Sequence, residues 1–496
     1  MKVFVFSLVA LILVSTPNLF SQQTASSSKP NIILCMADDL GWGDPGFNGN
    51  KIIKTPHLDA MAKNCLRFER FYSGAPVCSP TRGSCITGRH PYRYGVWSAN
   101  QGHMRKEEVT LAEVLKAQGY TTGHFGKWHL GTLDPNASGK GKGRNTERNF
   151  STPGVNGFSE WFSTEYSVKT WDPIKNNTVN PYYHNGKIEV ENTDGCDSRV
   201  LMDRAIPFIR KAASDKTPFL AVIWFHAPHE PVVAGPEFLN MYPNFSEGEK
   251  NYYGVVSALD LQVGRLRKEL RDLGVADNTM LCFTSDNGPE GDSSDKGTTR
   301  GSAVPFRGRK RSLYEGGIRV PSLIEWPAKI SPGTTTAFPS STLDYFPTML
   351  DAVGFKMMGE VRPMDGISLL PVFEGKLKQR PVAIPFETLG GTGSNASRGS
   401  PRMALVDNQY KLLTDMDGKG ATDLLFDLLN DKSETKNIAL QFPEIVKAMK
   451  VKLVEFRESC KLSQAGKDYS TPFTPDKFDM NPNDSGAPKK VKKPGT

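Results

Sequence analysis

Asn31-Ile32-Ile33-Leu34-Cys35-Met36-Ala37-Asp38-Asp39-Leu40-Gly41 decides the fold. Its first seven residues are almost all apolar, and the run ends abruptly on two carboxylates. A short apolar run without polar alternation is a strand buried on both faces, the habit of parallel sheets. The same pattern recurs along the chain. Thr279–Ser285 stops at Asp286-Asn287-Gly288, and 219–225 stops at His226-Ala227-Pro228-His229-Glu230-Pro231. A fourth run, 120–125, follows a helical pattern (Leu111, Val114, Leu115) closed by Gly119, and leads into Gly126-Lys127-Trp128-His129. Strands of this kind alternating with helices predict an α/β fold with a large, mostly parallel central sheet flanked by helices. The carboxyl ends of parallel strands share one edge, where ligands bind. Four polar clusters far apart in sequence are therefore expected to meet at one site.

Further elements follow from periodicity. A helix is expected over 198–212 from Val200, Leu201, Ala205 and Ile209, with Pro207 kinking it. Another is expected over 253–273, where Val256, Leu259, Val263, Leu266 and Leu270 share a face. Residues 131–157 and 291–301 read as polar loops. Beyond about 380, short strands at 402–406 and 409–413 and a helix at 444–456 predict a smaller α+β C-terminal subdomain. The expected division is 1–21 targeting segment, 30–379 large domain, 380–470 subdomain and 471–496 basic tail.

The composition, 38% hydrophobic and 23% charged in 496 residues, is that of a globular protein. Lys2 precedes an apolar stretch, 3–14, broken only by Ser7 and followed by small polar residues. That stretch is too short for a bilayer, which needs about 20 apolar residues. It predicts a cleavable secretory signal, and so export to a periplasm or the medium. No other stretch reads as a membrane span. Half of the net charge of +8 comes from Lys489, Lys490, Lys492 and Lys493. Export argues against nucleic acid as a partner. The seven cysteines contain no Cys-x-x-Cys pair, so neither a disulfide scaffold nor a zinc site is expected.

Asp38, Asp39, Asp286 and Asn287 offer the oxygen ligands that hard divalent cations prefer. Taken separately, each pair also suits an ordinary turn. Cys78 lies where a loop gives way to a helix, so the helix N-terminus and Arg82 would stabilise a thiolate. The bland alternative is a buried, inert thiol.

Cys78-Ser79-Pro80-Thr81-Arg82, extended by Gly83-Ser84 and Thr87-Gly88-Arg89, resembles the type I sulfatase family of the alkaline-phosphatase-like superfamily. There Cys-x-Pro-x-Arg directs conversion of the cysteine to formylglycine. The resemblance continues through Gly126-Lys127-Trp128-His129-Leu130-Gly131, His226-Ala227-Pro228-His229, Ser285-Asp286-Asn287-Gly288 and the Lys310 stretch closed by Glu315-Gly316-Gly317. Leu425-Phe426-Asp427-Leu428, with Asp431, Glu434 and Asn437, resembles the family's C-terminal subdomain.

The resemblance implies that a formylglycine-generating enzyme modifies Cys78, whose hydrate attacks sulfur and later expels inorganic sulfate. It implies a Ca²⁺ ion, with Mg²⁺ the alternative, held by Asp38, Asp39, modified Cys78, Asp286 and Asn287. Lys127 and Lys310 would hold sulfate oxygens, and Arg82 and His129 would orient the nucleophile. His229 would be the leaving-group acid, with Lys310 its rival. The implied substrate is a sulfated glycan. Further candidates near the site are His124, Trp171 (a sugar platform or a half-buried anchor), Asp172, Glu290 and Arg307. The competing readings are a phosphodiesterase or phosphonate monoester hydrolase of the same superfamily, and a non-catalytic glycan-binding homologue with Cys78 unmodified.

Overall fold

The computed structural model describes residues 29–138, 148–175, 179–291, 301–357, 362–389, 400–416 and 423–469. The expected signal segment 1–21 and tail 471–496 lie outside them. Asn31–Ala37 pairs in parallel with Phe219–Trp224 on one side and Thr279–Ser285 on the other. Thr121–Lys127 joins Phe219–Trp224, and Glu160–Thr164 joins Thr121–Lys127, both in parallel. These five strands are the centre of a ten-stranded sheet. Ser322–Glu325 runs antiparallel between Thr279–Ser285 and Leu66–Phe68, with Thr334–Thr336 at that edge. The hairpin Tyr182–His184 and Lys187–Glu189 closes the opposite edge.

The first strand explains why the sheet has two layers of helix. Ile32, Leu34 and Met36 pack into one core with Leu220, Val222 and Trp224, whereas Ile33, Cys35 and Ala37 pack into the other with Ala221 and Ile223. Neither face meets water, so neither face needs polar residues. On the second face lie the helices Asp197–Ser214, which continues through Pro207, and Glu247–Asp272. The latter starts earlier than its apolar stripe indicates, because Ser246 and Glu249 form a capping box.

A separate antiparallel sheet orders Ile384–Glu387, Met403–Asp407, Tyr410–Thr414 and Leu424–Asp427. With the helix Pro443–Gln464 it makes the smaller α+β unit expected from sequence. The helix outlasts its predicted end because Cys460, Ser463 and Gln464 are buried against the main domain, where Gln464 Nε2 donates to Tyr92 O at 3.0 Å.

Two buried imidazoles give the fold an acid sensitivity. His90 Nδ1 accepts the Tyr92 N–H at 3.2 Å, capping the turn Pro91–Arg93. Burial pushes the His90 imidazole down to about 3 and holds His124 well below its usual range. An unfolded histidine takes its proton near pH 6.5, so the unfolded chain binds more protons as pH falls below that value. Stability is therefore present at neutral pH and is lost progressively as pH drops from about 6.5 toward 3. Melting temperature should fall between pH 7 and pH 5. His90→Asn, which keeps a capping acceptor, should flatten that slope; an unchanged slope contradicts the assignment.

Candidate active site

The carboxyl ends of the parallel strands bring the polar clusters together as topology requires. Asp38 N–H donates to Ala227 O at 3.0 Å and Asp286 N–H to Ala37 O at 3.1 Å, so three strand ends are tied by backbone alone. Leu40 N–H reaches Ser285 Oγ at 2.9 Å, and Asp39 N–H reaches Asp286 Oδ1 at 3.1 Å. Asp39 adopts a left-handed backbone (φ 67°), tolerable for a short polar residue, and this re-aims its carboxylate. Gly126 has φ 111°, and a Cβ there would lie 1.9 Å from Trp224 O. Only glycine lets the Lys127 strand end so close to its neighbour.

Cys78 is the first residue of the helix Cys78–Thr87 and is 2% exposed. Thr81 Oγ1 fixes the preceding loop, accepting Ala75 N–H at 3.1 Å and donating to Ala75 O at 2.9 Å. Pro80 lies in the first helical turn, where a missing N–H costs nothing. The longer signature is architectural. Gly83 leaves room for Tyr94, whose hydroxyl would be 2.4 Å from a Cβ, and Arg89 pairs with Glu108 at 3.2 Å and Asp468 at 2.7 Å.

Around Cys78 three buried cations meet three buried carboxylates. Arg82 Nη2 lies 2.6 Å from Asp286 Oδ2 and 3.6 Å from Asp38 Oδ1. Lys127 Nζ donates to Asp38 Oδ2 at 2.8 Å, and Lys310 Nζ to Asp39 Oδ2 at 2.7 Å. Burial opposes ionisation of Asp38, but Lys127, His229, Arg82 and Lys310 outweigh it and hold the carboxyl well below its usual range. Asp286 goes the other way: burial, reinforced by the Asp38 charge, pushes it up to about 7. For Lys310, burial is outweighed by Asp39 and Cys78, which raise its pKa.

Two buried oxygens point to a cation. Asp38 Oδ1 and Asn287 Oδ1 are buried and accept no hydrogen bond. Leaving such acceptors unused is costly unless something else takes them. Ligand atoms of Asp38, Cys78 and Asp286 lie within 4.8 Å of one another, as do those of Asp38, Asp39 and His229. A set dominated by carboxylate and amide oxygens fits a hard divalent cation. His229 is the outlier; its imidazole is 26% exposed and stands 3.7 Å from Asp39 Oδ2, at the mouth of the site. Burial pushes it down to about 4, against the pull of Asp38 and Asp39.

The structure adds two residues with no sequence signal, Ser167 and Asn100. Ser167 Oγ donates to Asp38 Oδ2 at 2.7 Å, and Asn100 Oδ1 lies 2.8 Å from His129 Nε2. With Asn100 Oδ1 accepting, His129 carries its proton on Nε2 and Nδ1 is the basic nitrogen. Asn287 Nδ2 donates to Asp39 Oδ1 at 2.7 Å. Glu290 joins the site, bonding Arg311 Nη1 at 2.7 Å and lying 3.5 Å from Lys310 Nζ.

One further candidate is corrected. His124 does not face a substrate: it is fully buried among Trp128, Phe158 and Trp224, with Nδ1 on Ser163 Oγ at 2.8 Å. It lies within the strand Thr121–Lys127, which runs further than the sequence indicated. His226 is likewise structural, held by Thr164 Oγ1 at 2.8 Å and Asp197 Oδ2 at 3.2 Å. Trp171 is a half-buried anchor against Gly235. Asp172 is a turn residue that accepts Gly195 N–H at 2.7 Å, and Arg307 stacks 3.9 Å over the Tyr314 ring.

Residues 30–355 match the family described as Sulfatase, and 308–459 match the C-terminal region described as that of N-sulphoglucosamine sulphohydrolase. The chain belongs to the sulfatase family. Among relatives of this sulfatase, N-acetylgalactosamine-6-sulfatase of Rattus norvegicus is 32% identical, covering 77% of this chain and 71% of the relative. Arylsulfatase A of Homo sapiens is 31% identical over 86% of this chain and 87% of its own. The solved structure of Ps i-CgsB in complex with k-i-k-neocarrahexaose superposes with a TM-score of 0.75 at 29% identity, covering 88% of this chain and 94% of that one. The protein is accordingly a sulfuric ester hydrolase of the alkaline-phosphatase-like fold.

Proposed function

We propose that this sulfatase hydrolyses sulfate esters of a carbohydrate, using Cys78 oxidised to formylglycine and a bound divalent cation. The observation that carries the reading is the position of Cys78 at a helix start, within 4.8 Å of the Asp38 and Asp286 oxygens. The carbohydrate follows from the relatives, one an N-acetylgalactosamine sulfatase and one solved with a neocarrahexaose. The chain's apolar leader supports export, and among the described residues no helix is long and apolar enough to cross a membrane.

Cys78, as the hydrated aldehyde, would supply the hydroxyl that attacks sulfur. Asp38, Asp39, Asp286 and Asn287 would hold Ca²⁺, or Mg²⁺, which would add positive charge to a site where three carboxylates face three cations. Arg82, between Asp38 and Asp286, keeps those carboxylates aimed. Lys127 and Lys310 each carry three N–H donors and present the remaining ones to sulfate oxygens, a preorganised clamp for an anionic group. His129 Nδ1 accepts the proton released when the second hydroxyl collapses to expel sulfate. His229 Nδ1 donates to Glu230 O at 2.6 Å, so Nε2 is the nitrogen that, in the doubly protonated imidazolium, would deliver a proton to the departing sugar oxygen. An incoming sulfate raises the proton affinity of that imidazole.

The test is sulfate release from sulfated mono- and oligosaccharides, run beside the matching phosphate monoesters and diesters. Sulfated sugars should be turned over and phosphate esters much more slowly; a preference for phosphodiesters would overturn the reading. His229→Ala should cut kcat on sugar sulfates by about 10²- to 10⁴-fold, the usual range for a lost general acid. On nitrophenyl sulfate, whose leaving group needs no proton, the loss should be far smaller. Equal losses on both would remove His229 from that role.

A further inference from the structure

The Glu315-Gly316-Gly317 turn and Glu434 meet in a buried cluster of charges apart from the reaction centre. The Glu315 carboxylate is 0% exposed. It takes Lys411 Nζ at 2.8 Å, Tyr72 Oη at 3.0 Å and Arg319 Nη1 at 3.1 Å. Lys411 also lies 2.8 Å from Glu434 Oε1, while Glu434 Oε2 accepts the Glu315 backbone N–H at 2.6 Å. Lys411 sits on Tyr410–Thr414 of the C-terminal sheet, and Glu434 lies beyond that sheet's last strand, Leu424–Asp427.

The cluster stands where two segments of the proposed machinery are joined. Toward Cys78, Val320 N–H donates to Phe71 O at 2.9 Å, Ser73 N–H to Ile318 O at 2.9 Å, and Arg311 N–H to Pro76 O at 2.8 Å. Toward the cation ligands, Gly288 N–H donates to Gly317 O at 2.9 Å, one residue from Asn287. A Cβ on Gly288 would fall 1.9 Å from Gly316 O, so the two backbones are in contact. Gly316 N–H donates to Arg307 O at 2.7 Å and Lys310 N–H to Pro289 O at 3.1 Å. Moving the Glu315 turn would therefore move Lys310, Asn287 and the approach to Cys78 together.

Docking alone does not require this chemistry, since apolar side chains hold two surfaces together without desolvating charges. Removing Lys411 would leave the Glu315 and Glu434 carboxylates facing one another in a low-dielectric interior, which drives them apart or protonates one. Glu434 is the one whose pKa is already pushed up to about 7, by burial first, with Lys411 pulling it back and Glu315 adding to the rise.

We propose that Lys411 and Glu434 are positioning residues for sulfate-ester cleavage: acting through Glu315, the C-terminal sheet holds Lys310, Asn287 and the Cys78 approach in register. The inference rests on Cys78 and Lys310 being the reacting groups proposed above. The experiment compares full-length wild type, Lys411→Met, Lys411→Arg and a docking control, Arg93→Met, each with its Cys78 aldehyde content measured. Arg93 pairs with Asp365 at 2.7 Å and bonds Ser463 of the C-terminal helix at 3.1 Å, far in sequence from the Glu315 turn.

Per aldehyde-bearing site, Lys411→Met should lower kcat on an aryl sulfate by about 30-fold or more with KM within about threefold, a loss confined to the transition state. Lys411→Arg should recover most of it. Arg93→Met should lower Tm at least as much yet keep kcat within about twofold. Equal kcat for Lys411→Met and Arg93→Met, or an unchanged kcat in Lys411→Met, overturns the inference. Should Lys411→Met fail to fold, the nearly isosteric Glu434→Gln takes its place, with a kcat loss of about tenfold expected and an unchanged kcat overturning the inference. Wild type that carries the aldehyde but cleaves no sulfate ester would sink the proposed function itself, an outcome distinct from these.

Discussion

Cys78→Ala is expected to lower kcat on any sulfate ester by about four orders of magnitude or more, the scale seen when a covalent nucleophile is removed. The fold should tolerate the change. Cys78 opens the helix Cys78–Thr87, alanine is the best helix former, and only one buried sulfur is lost. Tm should therefore stay close to that of wild type, separating lost chemistry from lost structure. Steady-state kinetics and a melting curve on the same preparation check both halves. Residual activity within a hundredfold of wild type would mean another nucleophile. Ser79, whose Oγ accepts the Asn100 N–H at 3.4 Å, would be the first to examine.

Removing the cation should have the next largest effect. Three carboxylates, Asp38, Asp39 and Asp286, face Arg82, Lys127 and Lys310, so once all three are ionised the protein's own buried charges cancel. A neutral site has little to offer a sulfate anion. A divalent ion leaves it with two positive charges. Chelation should reduce activity by about a thousandfold, comparable to the loss of a preorganised electrostatic stabiliser, and Ca²⁺ should restore it. Calorimetry supplies a readout independent of turnover. Ca²⁺ at about 100 times its Kd should stabilise the protein by about 2.7 kcal/mol, a rise of a few degrees in Tm. Asp286→Asn should abolish that rise as well as most activity. A Tm that ignores Ca²⁺ in the wild type would contradict the cation site.

The sequence made the strand ends legible because both faces of the central sheet are buried, so each strand is a bare apolar run that its polar terminus interrupts. That one feature locates Asp38, Asp39, Lys127, His229, Asp286 and Asn287 on a common edge. Cys78 and Lys310 lie on other elements, and the family resemblance supplied them. Ser167 and Asn100 went unseen because a serine or asparagine in a loop has many ordinary uses, and only the folded distances to Asp38 and His129 distinguish them. Lys411 went unseen for a related reason. Its partners Glu315 and Glu434 come from different segments, and no periodicity announces a buried lysine. His124 was misjudged because it stands close in sequence to the Gly126-Lys127-Trp128-His129 cluster, yet its side chain leaves the strand Thr121–Lys127 on a face that is packed with aromatic rings.

Mass spectrometry of the Cys78 peptide from active enzyme, purified from its native source, bears most directly on the chemistry. Conversion of the thiol to the aldehyde predicts a peptide about 18 Da lighter than the cysteine form, captured by hydrazine-type reagents and absent from Cys78→Ala. Full activity in material whose Cys78 is entirely an alkylatable thiol would contradict the mechanism.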